Sequence, residues 1–340
     1  MNKIRFAVVG VHSIAKHHID GIKKLPQAEL AAVCDIHEEY AKARAAENGL
    51  DKYYLDYDKM LADGGFDCVV ICTPDQVHAA QAVKALEAGY HVLCEKPLAM
   101  KMEDVTAIVA AAKKANKKFM VGQVCRKTPA FIAAKQLVEA GELGQLFMVE
   151  SEYAHNYDII EDIDGWRRDP VNLRYPIVGG GCHAMDLLRW IAGDPTEVFA
   201  YANHKMLPMI VTEDATIAVL KFPNDVIGKI YVSTGCKRPY TMRTQLYGSK
   251  GTLLYESGKD YVELYTLGED GIAVNPTPEL VPVERQSHNR YGEFCDLAKI
   301  IDEDLPVAMS AEEGAKSIAT CLAIVESTKT GLPVKPDYNF

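Results

Sequence analysis

Along the first third of the chain, short apolar runs alternate with amphipathic stretches. Ile4-Arg5-Phe6-Ala7-Val8-Val9, Leu30 to Cys34, Asp67 to Cys72, His91 to Cys94 and Phe119 to Val121 read as strands, with a further short strand at Tyr53-Tyr54. Between them, apolar residues spaced three and four apart, such as Ile14, Ile19 and Ile22, mark helices. Helices are expected at about 38–48, 57–62, 77–88 and 104–115 as well. Strands that are apolar throughout, separated by amphipathic helices, predict a parallel sheet covered on both faces. From Gln123 the rhythm changes. A helix is expected from Pro129 to Ala140, stopped by Gly141, and then a strand from Leu146 to Tyr153. Near-perfect alternation follows at Val198 to Asn203, Ala215 to Phe222, Val226 to Ser233, Met242 to Tyr247 and Thr252 to Glu256, with turn residues between. That pattern predicts an antiparallel sheet with one face left open, and helices are expected at 288–301 and 311–328. The fold class is α/β, with a doubly wound parallel sheet followed by a mostly antiparallel one. The expected domains are residues 1–122 and 123–340, with the last helix packing back on a sheet, that of the first domain being one option.

Two runs stand where a doubly wound sheet would use them. The first strand ends at Gly10, and Gly10-Val11-His12-Ser13-Ile14-Ala15 opens a helix. This is nearly the Gly-x-Gly-x-x-Gly/Ala dinucleotide fingerprint, with His12 in place of the middle glycine that lets backbone approach a pyrophosphate. Asp35 ends the second strand at the spacing of the acid that binds ribose hydroxyls. A carboxylate there repels a 2′-phosphate, so NAD is favoured over NADP; the alternative is a plain strand-end residue. Ligands bind at the carboxyl ends of such strands, which selects the 10–15 loop, Thr73-Pro74 with His78, and Glu95-Lys96-Pro97. Lys96 is kept out of helical backbone by Pro97. It can reach a nicotinamide or a substrate hydroxyl, or form a solvated pair with Glu95.

A second constellation lies in Gly179-Gly180-Gly181-Cys182-His183-Ala184-Met185-Asp186. Three glycines suggest a permissive loop that delivers His183 to the first turn of a helix, with Asp186 one turn on along the same face. An imidazole beside a carboxylate suits proton transfer. The alternative is a capping histidine and a surface aspartate. The irregular stretch from His155 to Arg174 carries Tyr157, Trp166 and Arg167, suited to a sugar ring, or else is a loop anchored by one tryptophan.

These residues in order resemble the Gfo/Idh/MocA oxidoreductases: Gly10 to Ala15, Asp35, Thr73-Pro74 with His78, Glu95-Lys96-Pro97 after the fifth strand, Arg126, and His183-x-x-Asp186. The resemblance implies a Rossmann domain followed by an α/β domain whose large open sheet makes an oligomer interface. It implies NAD-dependent hydride transfer at a secondary alcohol of a sugar, glycoside or cyclic polyol. Gly10, His12, Ser13, Ile14, Asp35, Thr73, Pro74, His78, Glu95 and Lys96 would bind cofactor. Arg126, Tyr157, Trp166, Arg167 and Asp186 would bind substrate. Lys96 and His183 would be the catalytic pair. The chain departs from the family at Gly179, where many members carry an aspartate four residues before the histidine. Asp186, or one of Asp158, Glu161, Asp162 and Asp164, would then take that carboxylate's place, or proton transfer would work differently. The departure keeps open a regulator that senses sugar and dinucleotide without turnover, and a glycoside hydrolase that uses bound NAD transiently is a third reading.

Composition narrows the partners. A net charge of −10 argues against nucleic acid or an anionic membrane, and no apolar run reaches the length of a membrane span. The first strand begins at once, without a signal-peptide pattern. Nine cysteines, several set singly in apolar runs, fit reduced thiols in the cytoplasm. No Cys-x-x-Cys pair occurs, so no metal is expected. The open sheet face predicts a homodimer or homotetramer.

Overall fold

The computed structural model of the 340-residue chain describes residues 3–159, 163–268, 271–286 and 288–340. The chain divides into two compact units. One holds the chain up to Val124 together with Asn289–Ala315 and Phe340; the other holds Cys125–His288 and Lys316–Asn339.

The first unit is built on five strands: β1 (Ile4–Val9), β2 (Ala28–Cys34), β3 (Cys68–Ile71), β4 (His91–Cys94) and β5 (Phe119–Val121). All pair in parallel, in the order β2-β1-β3-β4-β5. Their helices are α1 (Ser13–Lys24), α2 (Glu38–Glu47), α3 (Tyr57–Asp63), α4 (His78–Glu87) and α5 (Met102–Lys114). The Tyr53-Tyr54 stretch is not a strand: Tyr54 makes one isolated bridge to Cys34, so Glu95-Lys96-Pro97 follows the fourth strand of the sheet and not a fifth. β3 is buried at every position, which is why it reads as one apolar run. The helix Arg290–Asp302 returns to this unit from far along the chain. It sets Phe294 edge-on against Phe6 in the core under β1.

The second unit carries eight strands: β6 (Leu146–Ala154), β7 (Glu197–Asn203), β8 (Ala215–Lys221), β9 (Ile227–Ser233), β10 (Thr241–Gly248), β11 (Gly251–Glu256), β12 (Tyr261–Thr266) and β13 (Glu279–Pro282). The order is β13-β12-β11-β10-β6-β9-β8-β7. All neighbours are antiparallel except β6 and β9, which run parallel in mid-sheet. β12 and β13 lie beyond the strands that the alternation predicts. On the inner face, Val149, Tyr153, Ile230, Val232 and Leu246 are buried. Against this sheet α8 (Cys182–Ala192) packs on β6 and β9, a single turn α7 (Pro176–Gly179) on β9, and α6 (Pro129–Glu139) on β12. The outer face leaves Tyr201, Ile217, Val219 and Ile227 exposed.

Candidate active site

The 10–15 loop joins β1 to α1. Gly10 sits at φ +76°, and a β-carbon there would lie 2.7 Å from the backbone nitrogen of Thr73, so both conformation and space demand glycine. His12 occupies the N-cap of α1 without a side-chain capping bond, and its ring packs edge-on against Tyr40. Ser13 and Ile14 form the first turn of α1. Asp35 accepts the backbone N–H groups of Val11 (2.8 Å) and His37 (3.0 Å), which ties the end of β2 to the fingerprint loop. A carboxylate has about four lone-pair directions, so these two bonds do not exhaust it. A glycine that admits no side chain, a helix N-terminus and this carboxylate fit a dinucleotide.

Two of the expected cofactor residues do other work. Both ring nitrogens of His78 lie against backbone carbonyls, of Pro97 at 2.9 Å and Thr73 at 3.0 Å, and a neutral ring donates to one of the two. Glu95 is buried and faces inward. Its Oε1 accepts from His18 Nε2 at 2.7 Å and lies 3.8 Å from Arg290, and its Oε2 accepts the Lys96 backbone N–H at 3.0 Å. Burial pushes the Glu95 carboxyl up, but the His18 hydrogen bond and the charges of His18, Arg290 and Lys96 outweigh it and hold the carboxyl below its ordinary value. Burial pulls the His18 imidazole down, against the hydrogen bond and charge of Glu95, which pull it up. Neither His18, on the apolar face of α1, nor Arg290 was expected from the sequence. Together they brace the peptide that presents Lys96, which is half-buried after β4, while Thr73 Oγ1 donates to Gln81 beside Pro74, the N-cap of a short 3-10 turn.

In the second unit the glycine run is not a permissive loop. Gly179 ends the turn α7, Gly180 has φ −123° and Gly181 φ −62°, so none needs positive φ. What they lack is room. A β-carbon at Gly180 would lie 2.6 Å from Cζ of Tyr153, and one at Gly181 2.6 Å from Cγ2 of Val232. At Gly179 it would meet the Arg174 guanidinium, 2.5 Å from Cζ, and Arg174 donates to the Gly179 carbonyl at 3.3 Å. A cation therefore stands beside the position where relatives are expected to place a carboxylate.

His183, the second residue of α8, is buried. Asp186 does not serve it. Its two oxygens accept Arg126 Nε and Nη2 at 2.7 Å each, and Oδ1 also accepts Ser317 Oγ at 2.9 Å. The expected substrate ligands Arg126 and Asp186 are thus each other's partners in a buried clasp. The surroundings of His183 are instead aromatic. His288 lies 5.7 Å away between ring centroids, Tyr240 packs on His288, and His155 on Tyr153, Tyr157 and Tyr240. Burial raises the Tyr153 hydroxyl, which stays protonated near the Tyr157 hydroxyl at 3.3 Å.

Trp166 is not a bare platform, because the guanidinium groups of Arg167 and Arg174 lie over its ring at 4.2 and 5.1 Å. Arg167, Arg168 and Arg174 line a surface pocket with Tyr157, Pro176 and Leu207. Of the acidic run, Asp158 and Asp164 are described, whereas Glu161 and Asp162 lie outside the described residues.

A doubly wound sheet with this glycine turn, strand-end acid and lysine loop defines a dinucleotide-dependent oxidoreductase. Residues 4–123 match the profile of the oxidoreductase family with an NAD-binding Rossmann fold, and residues 131–254 match the GFO/IDH/MocA C-terminal domain. The chain belongs to the Gfo/Idh/MocA family and is an NAD-dependent oxidoreductase. It is 26% identical over 334 residues to the 1,5-anhydro-D-fructose reductase of Ensifer adhaerens, covering 96% of this chain and 97% of that protein. It is 26% identical over 349 residues to the myo-inositol 2-dehydrogenase of Thermotoga maritima, covering 98% of each. Among solved structures, the WlbA dehydrogenase of Bordetella pertussis in complex with NADH and UDP-GlcNAcA is similar with a TM-score of 0.83 at 25% identity, covering 98% of this chain and 99% of that one.

Proposed function

We propose that this oxidoreductase acts on a secondary alcohol of a sugar, glycoside or cyclic polyol, with cofactor binding in residues 1–122 and substrate binding in 123–340. The observation that carries this reading is the lysine loop: Lys96 stands at a strand end on a peptide braced by buried Glu95, His18 and Arg290. The 1,5-anhydro-D-fructose reductase and myo-inositol dehydrogenase among the relatives support the substrate class. Gly10, His12, Ser13, Ile14 and Asp35 would hold NAD, with Thr73 and Pro74 at the neighbouring strand end. When bound, NAD supplies hydride acceptance and donation. Lys96 holds the substrate oxygen and stabilises the negative charge that develops on it. His183 accepts the hydroxyl proton during oxidation and returns it during reduction. Tyr157 and Arg167, beside Trp166, contact the sugar.

The test is NADH formation from NAD with a panel of sugars and polyols, repeated for Lys96→Ala and His183→Ala. Lys96→Ala loses an interaction strongest in the transition state, so kcat falls by about 10²-fold or more while NAD still binds. Near-normal turnover in Lys96→Ala refutes the reading. A second reading, ligand sensing without turnover, is favoured by Arg174 beside Gly179. Sugar binding that raises NAD affinity with no NADH formed on any substrate would select it, and cleavage of a glycoside with no net NADH would select the hydrolase.

The outer face of the eight-stranded sheet supports a homodimer or homotetramer through that face, because Tyr201, Ile217, Val219 and Ile227 leave it apolar. Sedimentation at micromolar concentration should show a multiple of the 37.5 kDa chain. The nine free cysteines fit a reducing compartment, the cytoplasm, and no helix among the described residues is long and apolar enough to cross a membrane.

A further inference from the structure

Three residues far apart in the sequence meet inside the second unit. Cys125 lies in the 3-10 turn Val124–Lys127, His183 in the first turn of α8, and His288 two residues before the helix Arg290–Asp302. The Cys125 sulfur and one ring nitrogen of each histidine all lie within 4.8 Å of one another. From these donors we infer a transition-metal site of the zinc class, held by Cys125, His183 and His288.

The donor set selects the ion. One thiolate and two imidazoles suit zinc and cobalt(II), whereas magnesium and calcium require oxygen ligands. The Met242 thioether, 3.6 Å from Cys125 Sγ, makes the surroundings softer still. Bonds of about 2.0–2.3 Å in a tetrahedron set donors roughly 3.3–3.6 Å apart. The donors, all within 4.8 Å of one another, would close to that spacing on binding the ion. Cys125 and His183 are buried and His288 is partly exposed, which leaves a way in for the ion. The hydroxyl of Tyr240, 3.4 Å from His288 Nε2, is an outer partner of the kind that orients a ligating imidazole. On ligation the thiol gives its proton to solvent and the sulfur forms the metal bond. Three protein ligands leave a fourth position open.

The site has a consequence for the reaction, and it rests on the proton-acceptor reading of His183. A neutral imidazole has one lone pair. Whichever nitrogen holds the ion, none remains to accept a proton. Metal occupancy therefore silences His183.

The experiment uses the full chain, stripped with a chelator, kept under a phosphine reductant and titrated with cobalt(II). One equivalent should give a thiolate-to-cobalt charge-transfer band, and zinc should abolish it by displacement. Cys125→Ser should lose the band, His288→Gln should weaken binding about tenfold or more, and Cys236→Ser and Cys295→Ser, at the partly exposed cysteines, should leave it intact. Absence of the band, or a band undiminished in Cys125→Ser, overturns the site. Zinc should also stop NADH formation, with a chelator restoring it and with more zinc needed in His288→Gln. Zinc that gives the one-equivalent displacement yet leaves turnover unchanged overturns the silencing. A missing band with normal turnover overturns only the metal site.

Discussion

Replacing Asp186 by asparagine tests whether this carboxylate is structural. In the wild type it neutralises Arg126 through two 2.7 Å bonds, with both side chains almost wholly out of water at 7% and 1% exposure. An asparagine side chain is nearly isosteric, so packing is kept. It offers one oxygen in place of two and no charge, which takes the neutralising charge away from a buried guanidinium. Removing one partner of a buried pair costs about 3–5 kcal/mol, because the remaining ion keeps its desolvation penalty. In a unit of this size each kcal/mol lowers Tm by ~2–4 °C, so the variant should melt roughly 6–20 °C below the wild type. A buried pair is little screened, so raising the salt should scarcely change that gap. A double variant, Asp186→Leu with Arg126→Met, should recover much of the loss, since no ion is then stranded. Calorimetry or circular dichroism on the three proteins supplies the comparison. A drop below about 3 °C in the single variant, or a double variant no better than the single, would refute the clasp as a source of stability.

Three further outcomes are expected. NAD should bind more tightly than NADP, and Asp35→Ala should narrow the difference; equal affinities in the wild type would remove the ribose role of Asp35. Glu95 is held below its ordinary value of 4.5, so it stabilises the fold above that pH and loses this as the pH falls through it. His18, pulled below 6.5 by burial, acts in the same direction. Melting temperatures should therefore fall from pH 6.5 downward, and the deficit of Glu95→Gln relative to wild type, clear at pH 7, should shrink below pH 4.5; a deficit that grows there would contradict the assignment. Gly180→Ala places a methyl against the Tyr153 ring and should cost about 1–3 kcal/mol, visible as a lowered Tm, with an unchanged Tm as the opposing result.

Local pattern determined a great deal of this protein. The apolar strands of the first unit and the alternating strands of the second carry their own periods, so β1 to β11 could be read as elements, apart from the single Tyr54 bridge. The Gly10 turn, Asp35 and Lys96 were legible too, because a strand-to-helix turn and a strand end place residues by local geometry alone. What tertiary structure decided were meetings between residues remote in sequence. Only the return of helix Arg290–Asp302 could show that Arg290 and His18 bracket Glu95. Asp186 lies on the same helical face as His183, as the spacing said, yet its charge is spent on Arg126, because a buried guanidinium is a stronger claimant than a ring one turn away. The glycines that read as freedom of the backbone are fixed by the bulk of Arg174, Tyr153 and Val232, none of which the run itself discloses. Cys125, His183 and His288 carry no shared motif, since their approach is set by where a turn, one helix start and the approach to another end up once the sheet has folded. Sequence period fixes the elements because hydrogen bonding and burial act over a few residues. Side-chain partners at a site are chosen by packing and charge across the whole fold.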